Sequence, residues 1–241
     1  MIILGLGTGR SGTTSLARLI NHQDETVCFH EINPACAKWA WPGTTLTAAR
    51  EFSDIIAGGD RSILSIDWTS PLRDRLLTRL TSLPKVKVMG DVSPYHLPNV
   101  EIVAANYADA RFPVIRRGKS ETVRSYTKKM RDIEWRPWPL KNVVSYRNHW
   151  VEHDGSVWEI DPVWDKCFPN FQADTLEDAL GQYWDHYYET AEKLAAELPS
   201  QVRIFDIDDL NTEEGQRRIL TFCGFSEISH VEVHTNKGHA T

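Results

Sequence analysis

No apolar run in the 241 residues approaches the ~18 that a membrane-crossing helix needs, and no charged leader followed by an apolar stretch opens the chain. Neither a membrane span nor a secretory signal is expected, and a cytoplasmic protein is. A basic excess is missing too. Lysine and arginine number 27 against 33 acidic residues, a formal net charge of −6. That balance excludes a general nucleic-acid binder, so local basic spots serve individual anions. Cysteine is scarce: Cys28, Cys36, Cys167 and Cys223 show neither C-x-x-C nor zinc spacing, which predicts reduced thiols and no metal site. Repeats, low-complexity tracts and interdomain linkers are absent. With 41% hydrophobic and 25% charged residues, residues 1–241 are expected to form one α/β domain.

What the chain does have begins at once. Residues 2–6, IILGL, make a short apolar run suited to a buried parallel strand. Gly7, Gly9 and Gly12 follow, and Leu16, Leu19 and Ile20 then recur at helical spacing. Strand, glycine loop and helix start place backbone N–H groups at the positive end of a dipole, which is an anion site. Arg10, Ser11, Thr13 and Thr14 add a cation and three hydroxyls. The expected anion is a phosphate or sulfate.

Three readings of this loop are open. Gly7, Gly9 and Gly12 satisfy G-x-G-x-x-G with Glu31 about 20 residues on, the pattern of an NAD(P)-dependent oxidoreductase. Its helix, however, starts with Thr13-Thr14 rather than small apolar residues. Gly7 to Thr14 also fits G-x-x-x-x-G-K-[ST], except that Thr13 stands in place of lysine. A triphosphate kinase would then lack the cation that reaches its β and γ phosphates. The third reading keeps the cradle and moves the cation to Arg10.

Other residues gather around the same sheet edge. Residues 25–30 read as a second strand ending in His30-Glu31, at the carboxyl edge where open α/β sheets bind ligands. A carboxylate or imidazole there can take the proton of an attacking hydroxyl; Glu31 is the first candidate and His30 the second. Residues 86–89 form a strand running into Gly90-Asp91-Val92-Ser93-Pro94-Tyr95, with Asp91 and His96 as further acid/base candidates and orientation of a neighbour as the alternative for Asp91. Residues 111–116 lead to Arg117, and a helix over 121–129 carries Ser125. An arginine at a strand end and a serine one or two turns into the next helix can converge on one phosphate.

The string GTGRSGTTSLARLI resembles the 5′-phosphosulfate loop of the PAPS-dependent sulfotransferases, G-x-x-R/K-S/G-G-T-T/S-x-L. Arg117 and Ser125 match the spacing of that family's 3′-phosphate motif R-x-P-x-x-x-x-x-S, with Lys119 where the proline would stand. GDVSPY is similar to the family's G-E/D-K-S/T-P-x-Y, with Val92 in place of lysine. RIFDIDDLN and the later FCGF resemble its closing strand–E-D-L–helix–F-L-G pattern, and Lys237-Gly238 its K-G tail. The resemblance implies a three-layer α/β sandwich with a central parallel sheet and a P-loop-like phosphosulfate loop. It also implies that the protein moves a sulfuryl group from 3′-phosphoadenylyl sulfate (PAPS) to an acceptor hydroxyl on a sugar or other small molecule, releasing adenosine 3′,5′-bisphosphate (PAP) without a metal. Gly9, Arg10, Ser11, Gly12, Thr13, Thr14, Arg117, Ser125, Lys237 and Gly238 would hold the nucleotide, and Glu31, His30 and Arg10 would serve the transfer. Rivals are the NAD(P) enzyme, a degenerate kinase and a catalytically silent nucleotide binder.

Residues 132–171 fall outside these patterns and carry five of the nine tryptophans, interspersed with carboxylates and prolines. They read as an insertion folding over the strand edge as an acceptor lid. His149 and His153 lie four apart with no third metal ligand indicated. Elsewhere, periodicity predicts helices over 47–57, 71–83, 175–198 and 212–223, and strands over 62–66 and 202–205. Arg73, Arg75 and Arg79 read as a solvated face, and the aromatic stripe around Tyr183, Trp184 and Tyr187 as core.

Overall fold

The computed structural model describes residues 1–33, 44–66, 70, 72–134, 149–151, 157–159, 171 and 173–232. In chain order the regular elements are β1 (Ile2–Gly5), α1 (Thr13–Asn21), β2 (Thr26–His30), α2 (Thr44–Ile56), α3 (Arg73–Ser82), β3 (Val88–Val92), α4 (Val100–Asn106), β4 (Phe112–Arg116), α5 (Lys119–Glu134), β5 (His149–Val151), β6 (Val157–Glu159), α6 (Leu176–Glu197), β7 (Val202–Asp206) and α7 (Glu213–Phe222).

β1 pairs with β3, β3 with β2 and β4 with β7, all in parallel. The two groups join where the Leu4 and Leu6 amides donate to the Arg111 and Pro113 carbonyls at 3.0 and 2.9 Å. The result is one parallel sheet in the order β2-β3-β1-β4-β7. Side chains alternate across it with the period of two that a strand imposes. Ile2, Leu4, Leu6, Val27, Phe29, Met89, Phe112 and Val114 pack with Phe52, Val103 and Tyr187 of α2, α4 and α6 on one face. Ile3, Cys28, Val92, Ile115 and Phe205 meet Leu16, Leu19, Ile219 and Leu220 of α1 and α7 on the other. Helices cover both faces, which is why β1 reads as an unbroken apolar run. Cys28 and Cys223 are free and buried, and burial pushes both thiols up; Cys36 and Cys167 lie outside the described residues.

Two expectations are corrected. Residues 62–66 form no strand: Arg61–Ile63 is a 3-10 turn. Its amides are taken by side chains, the Ser62 N–H by Asp60 at 2.8 Å and the Ser65 N–H by Glu51 at 2.8 Å. Arg79 is no solvated face residue either, because its guanidinium donates to the Thr26 and Gln23 carbonyls at 2.8 and 3.0 Å. That arginine caps backbone at the start of β2.

Two buried glutamines bind the chain's last described segment along the α1/α7 face. The Gln23 amide donates to the Ser229 carbonyl at 2.8 Å and accepts from its N–H at 2.9 Å. Gln216 treats Val231 alike, at 2.7 and 3.1 Å, and also donates to the Leu210 carbonyl. Gln216→Ala strands these backbone groups and is expected to lower stability by about 1–3 kcal/mol. Urea unfolding reads the loss, and limited proteolysis should cut residues 226–232 first.

Candidate active site

β1 and β4 are neighbours whose connections leave in opposite directions, toward β2 and toward β7. That switch point is where an open α/β sheet opens a crevice. The loop after β1 fills it. Gly7 has φ 151°, and a Cβ there would press within 2.5 Å of Ser11 Oγ and 2.8 Å of the Ile115 carbonyl. Arg10 takes φ 68° and Gly12, the N-cap of α1, φ 104°. Gly12 offers no capping side chain and the first turn of α1 holds no acid. The first amides of a helix have no partner within it, so this end suits an anion.

The sequence-predicted site residues take distinct places. Ser11 is fully buried, and both its hydroxyl and its N–H donate to the Thr8 carbonyl, at 2.7 and 3.2 Å. It braces the loop. The Thr13 and Thr14 hydroxyls lie 3.2 and 3.3 Å from His30 Nε2, which ties the end of β2 to the first turn of α1. Arg10 Nε donates to Ser125 Oγ at 3.2 Å, and Arg117 Nη1 donates to the Arg10 carbonyl at 3.4 Å. The structure thus brings Arg10, Arg117 and Ser125 together from residues more than 100 apart. Arg117 also pairs with Glu121 at 3.3 Å, both partly exposed, so water screens that pair and a phosphate can compete for it. Lys237 and Gly238 lie outside the described residues.

Glu31 follows the last residue of β2, at φ 56°. His30 and Gly5 both face Val92 across β3, so Glu31 stands two strand spacings, roughly 10 Å, from the loop's entrance. This order also weakens the dinucleotide reading. That fold sets β2 beside β1, with its acidic residue at the ribose, whereas here β3 lies between them. Asp91 and His96 are enclosed completely and bonded to each other at 2.8 Å. Val92, where the resemblance has a lysine, is buried. Among the described residues no group of three or more histidines, cysteines or carboxylates is arranged to hold a metal; His153 lies outside them.

Sequence reasoning missed the residues that brace the loop. α6 sends three polar aromatic tips to the loop and to the end of β4 beside it. Tyr187 Oη accepts from the Gly7 N–H at 2.9 Å, Tyr188 Oη donates to the Ile115 carbonyl at 2.8 Å, and Trp184 Nε1 donates to the Arg117 carbonyl at 2.9 Å. Burial pushes both tyrosine hydroxyls up, Tyr187 well up, which favours their neutral, bond-forming state. Tyr126 of α5 packs against Gly9. The signal was in the stripe itself, since a buried Tyr or Trp needs a partner for its polar atom.

Of residues 132–171, 132–134 end α5, β5 and β6 form an antiparallel pair, and Phe171 packs on the core; the rest lies outside the described residues. The β5 backbone approaches the turn Pro94–Asn99 that follows β3. A surface cleft of about 940 Å³ between α5 and α6 includes none of residues 7–14. Asp174, Glu177 and Asp178 line it beside the paired Lys119 and Asp185, so its excess charge is negative and does not suit an anion.

No protein-family model and no curated protein matches the chain. Among solved structures it matches a sulfotransferase from Alicyclobacillus acidocaldarius at 15% identity and a TM-score of 0.53, over 97% of this chain and 85% of that one. A second match is the sulfotransferase domain from the curacin biosynthetic pathway, at 13% identity and a TM-score of 0.49, over 96% and 75%. What this chain shares with the first, over nearly its whole length, is the fold: a central parallel sheet with helices on both sides, as in a sulfotransferase.

Proposed function

We propose that the protein transfers a sulfuryl group from PAPS to an acceptor hydroxyl. The observation that carries this reading is the meeting of Arg10, Arg117 and Ser125 across the β1/β4 crevice, beside an uncapped helix start. The helix start would take the 5′ phosphosulfate, and Arg117 with Ser125 the 3′ phosphate. The acceptor oxygen attacks sulfur in line, forming one S–O bond as the bond to the bridging phosphate oxygen breaks. Its proton passes to Glu31, and the electron pair leaves with PAP. Arg10 and the helix amides balance the charge that grows on the departing phosphate. Arg10 carries more of that load here, because Val92 supplies no cation. That same apolar residue favours the second reading, a silent nucleotide binder on the same fold.

Thermal shift with PAP, NAD, NADP and ATP with Mg²⁺ separates the alternatives. Bisphosphate at 100 times its Kd should stabilise the fold by about 2.7 kcal/mol. Arg117→Ala is expected to weaken it roughly 10- to 100-fold, the worth of a charge-assisted bond, with little loss of turnover at saturating donor. Stabilisation by NAD(P) without any by PAP would overturn the proposal. Acceptor-dependent release of PAP from PAPS tells enzyme from silent binder.

A further inference from the structure

Three consecutive amides leaving β2 are held by the end of β3 and the turn after it. The Glu31 N–H donates to the Val92 carbonyl at 3.2 Å, the Ile32 N–H to Asp91 Oδ1 at 3.1 Å, and the Asn33 N–H to Tyr95 Oη at 3.1 Å. Asp91 Oδ2 in turn accepts from Tyr95 Oη at 3.0 Å and lies 2.8 Å from His96 Nε2. His96 Nδ1 is 3.0 Å from Thr45 Oγ1. A neutral imidazole carrying its proton on Nε2 satisfies both contacts, donating to Asp91 and accepting from Thr45. Asp91 and His96 are wholly buried, and the carboxylate is held by three donors.

At the centre of this arrangement Glu31 sits at φ 56°, a left-handed conformation that a residue with a Cβ seldom adopts. Such a residue keeps that conformation only where its surroundings over-determine it. Here they do, through the amides of Glu31 itself and the two residues after it. Burial, and then the charge of Asp91, pushes the Tyr95 phenol well up, so its hydroxyl stays a donor to Asp91.

We infer that Asp91 and Tyr95 are positioning residues, which hold the backbone of residues 31–33 so that Glu31 meets the acceptor's proton. The inference rests on the transfer reading above. It also accounts for the Asp91–His96 pair, which is enclosed completely.

Tyr95→Phe tests it in the full chain, since it removes one hydroxyl from both the Asn33 amide and Asp91. Amide exchange at Ile32 and Asn33 should quicken at least about tenfold, while the bonded amides of Gly7 and Ser11 exchange as in wild type. Turnover, read as PAP released from PAPS with 4-nitrophenol, glucose or a long-chain alcohol as acceptor, should fall at least about tenfold. PAP affinity should hold within about twofold, and Asp91→Asn, which keeps an oxygen for the Ile32 amide, should lose less than Asp91→Ala. In a Glu31→Gln background Tyr95→Phe should cost nothing further, because both act through one carboxylate. Unchanged exchange in Tyr95→Phe, or its full loss of turnover repeated in the Glu31→Gln background, overturns the positioning role alone. A wild-type chain that neither binds PAP nor turns over brings down the transfer reading, and the role with it.

Discussion

Glu31→Gln is expected to lower turnover by roughly 10²–10³-fold, the contribution of a well-placed general base, while PAP affinity stays within about twofold. The other groups that chemistry would admit are placed differently. His30 Nε2 is engaged between the Thr13 and Thr14 hydroxyls, and Asp91 and His96 are enclosed with each other. Glu31 alone of the four is both partly exposed and a carboxylate at the carboxyl edge. Glutamine keeps the side chain's length and polarity and removes only its ability to accept a proton at working pH, so the substitution isolates the chemistry from the packing. Single-turnover measurement with PAPS and calorimetry with PAP give the two numbers. Turnover equal to wild type would remove Glu31 from the base role.

Gly9→Ala is expected to weaken PAP binding by more than about 100-fold, the cost of displacing a preorganised cradle by an ångström or so. An added Cβ would collide with Tyr126 Oη and stand 2.6 Å from its Cζ. Tyr126 is 1% exposed and packs edge-on to Tyr183 at 6.4 Å between centroids, so the ring has no space into which to retreat. The loop must shift instead, and Arg10 shifts with it, out of reach of Ser125. Gly9→Ala/Tyr126→Phe should recover part of the loss, because the hydroxyl goes while Cζ remains. Gly118→Ala serves as the control, since its Cβ would meet nothing closer than 3.9 Å. Calorimetry with PAP on the three variants decides; wild-type affinity in Gly9→Ala would mean that this loop does not hold the nucleotide.

How far the site was legible depended on the distance between interacting residues. The strand–loop–helix of residues 2–20 could be read because its parts are adjacent: apolar run, glycines and helical spacing all act within twenty residues. Arg117 and Ser125 were legible as a pair for the same reason, being two turns of helix apart. By resemblance Arg10 and Arg117 were expected at opposite ends of one nucleotide; that Arg10 itself contacts Ser125 and Arg117 came only with the pairing of β1 with β4. The braces on the loop were not legible. Tyr187 reaches Gly7 across 180 residues, and nothing in the stripe of α6 says which of its aromatic tips will find a backbone amide. Asp91 read from the sequence either as an acid/base group or as one that orients a neighbour; its burial beside His96 and Tyr95 supports the second reading. The strand expected over 62–66 failed because Asp60 and Glu51 took the amides that a neighbouring strand would have needed.

Residue order alone determined the α/β class, the glycine turn after β1 and the helix that follows it, because local spacing sets periodicity, helix starts and where glycine must bend the chain. Only the folded sheet decided which loops share a crevice, that β3 separates β1 from β2, and that Asp91 and Tyr95 grip the amides beyond Glu31. Those outcomes come from strand order and burial, which join residues far apart in the chain.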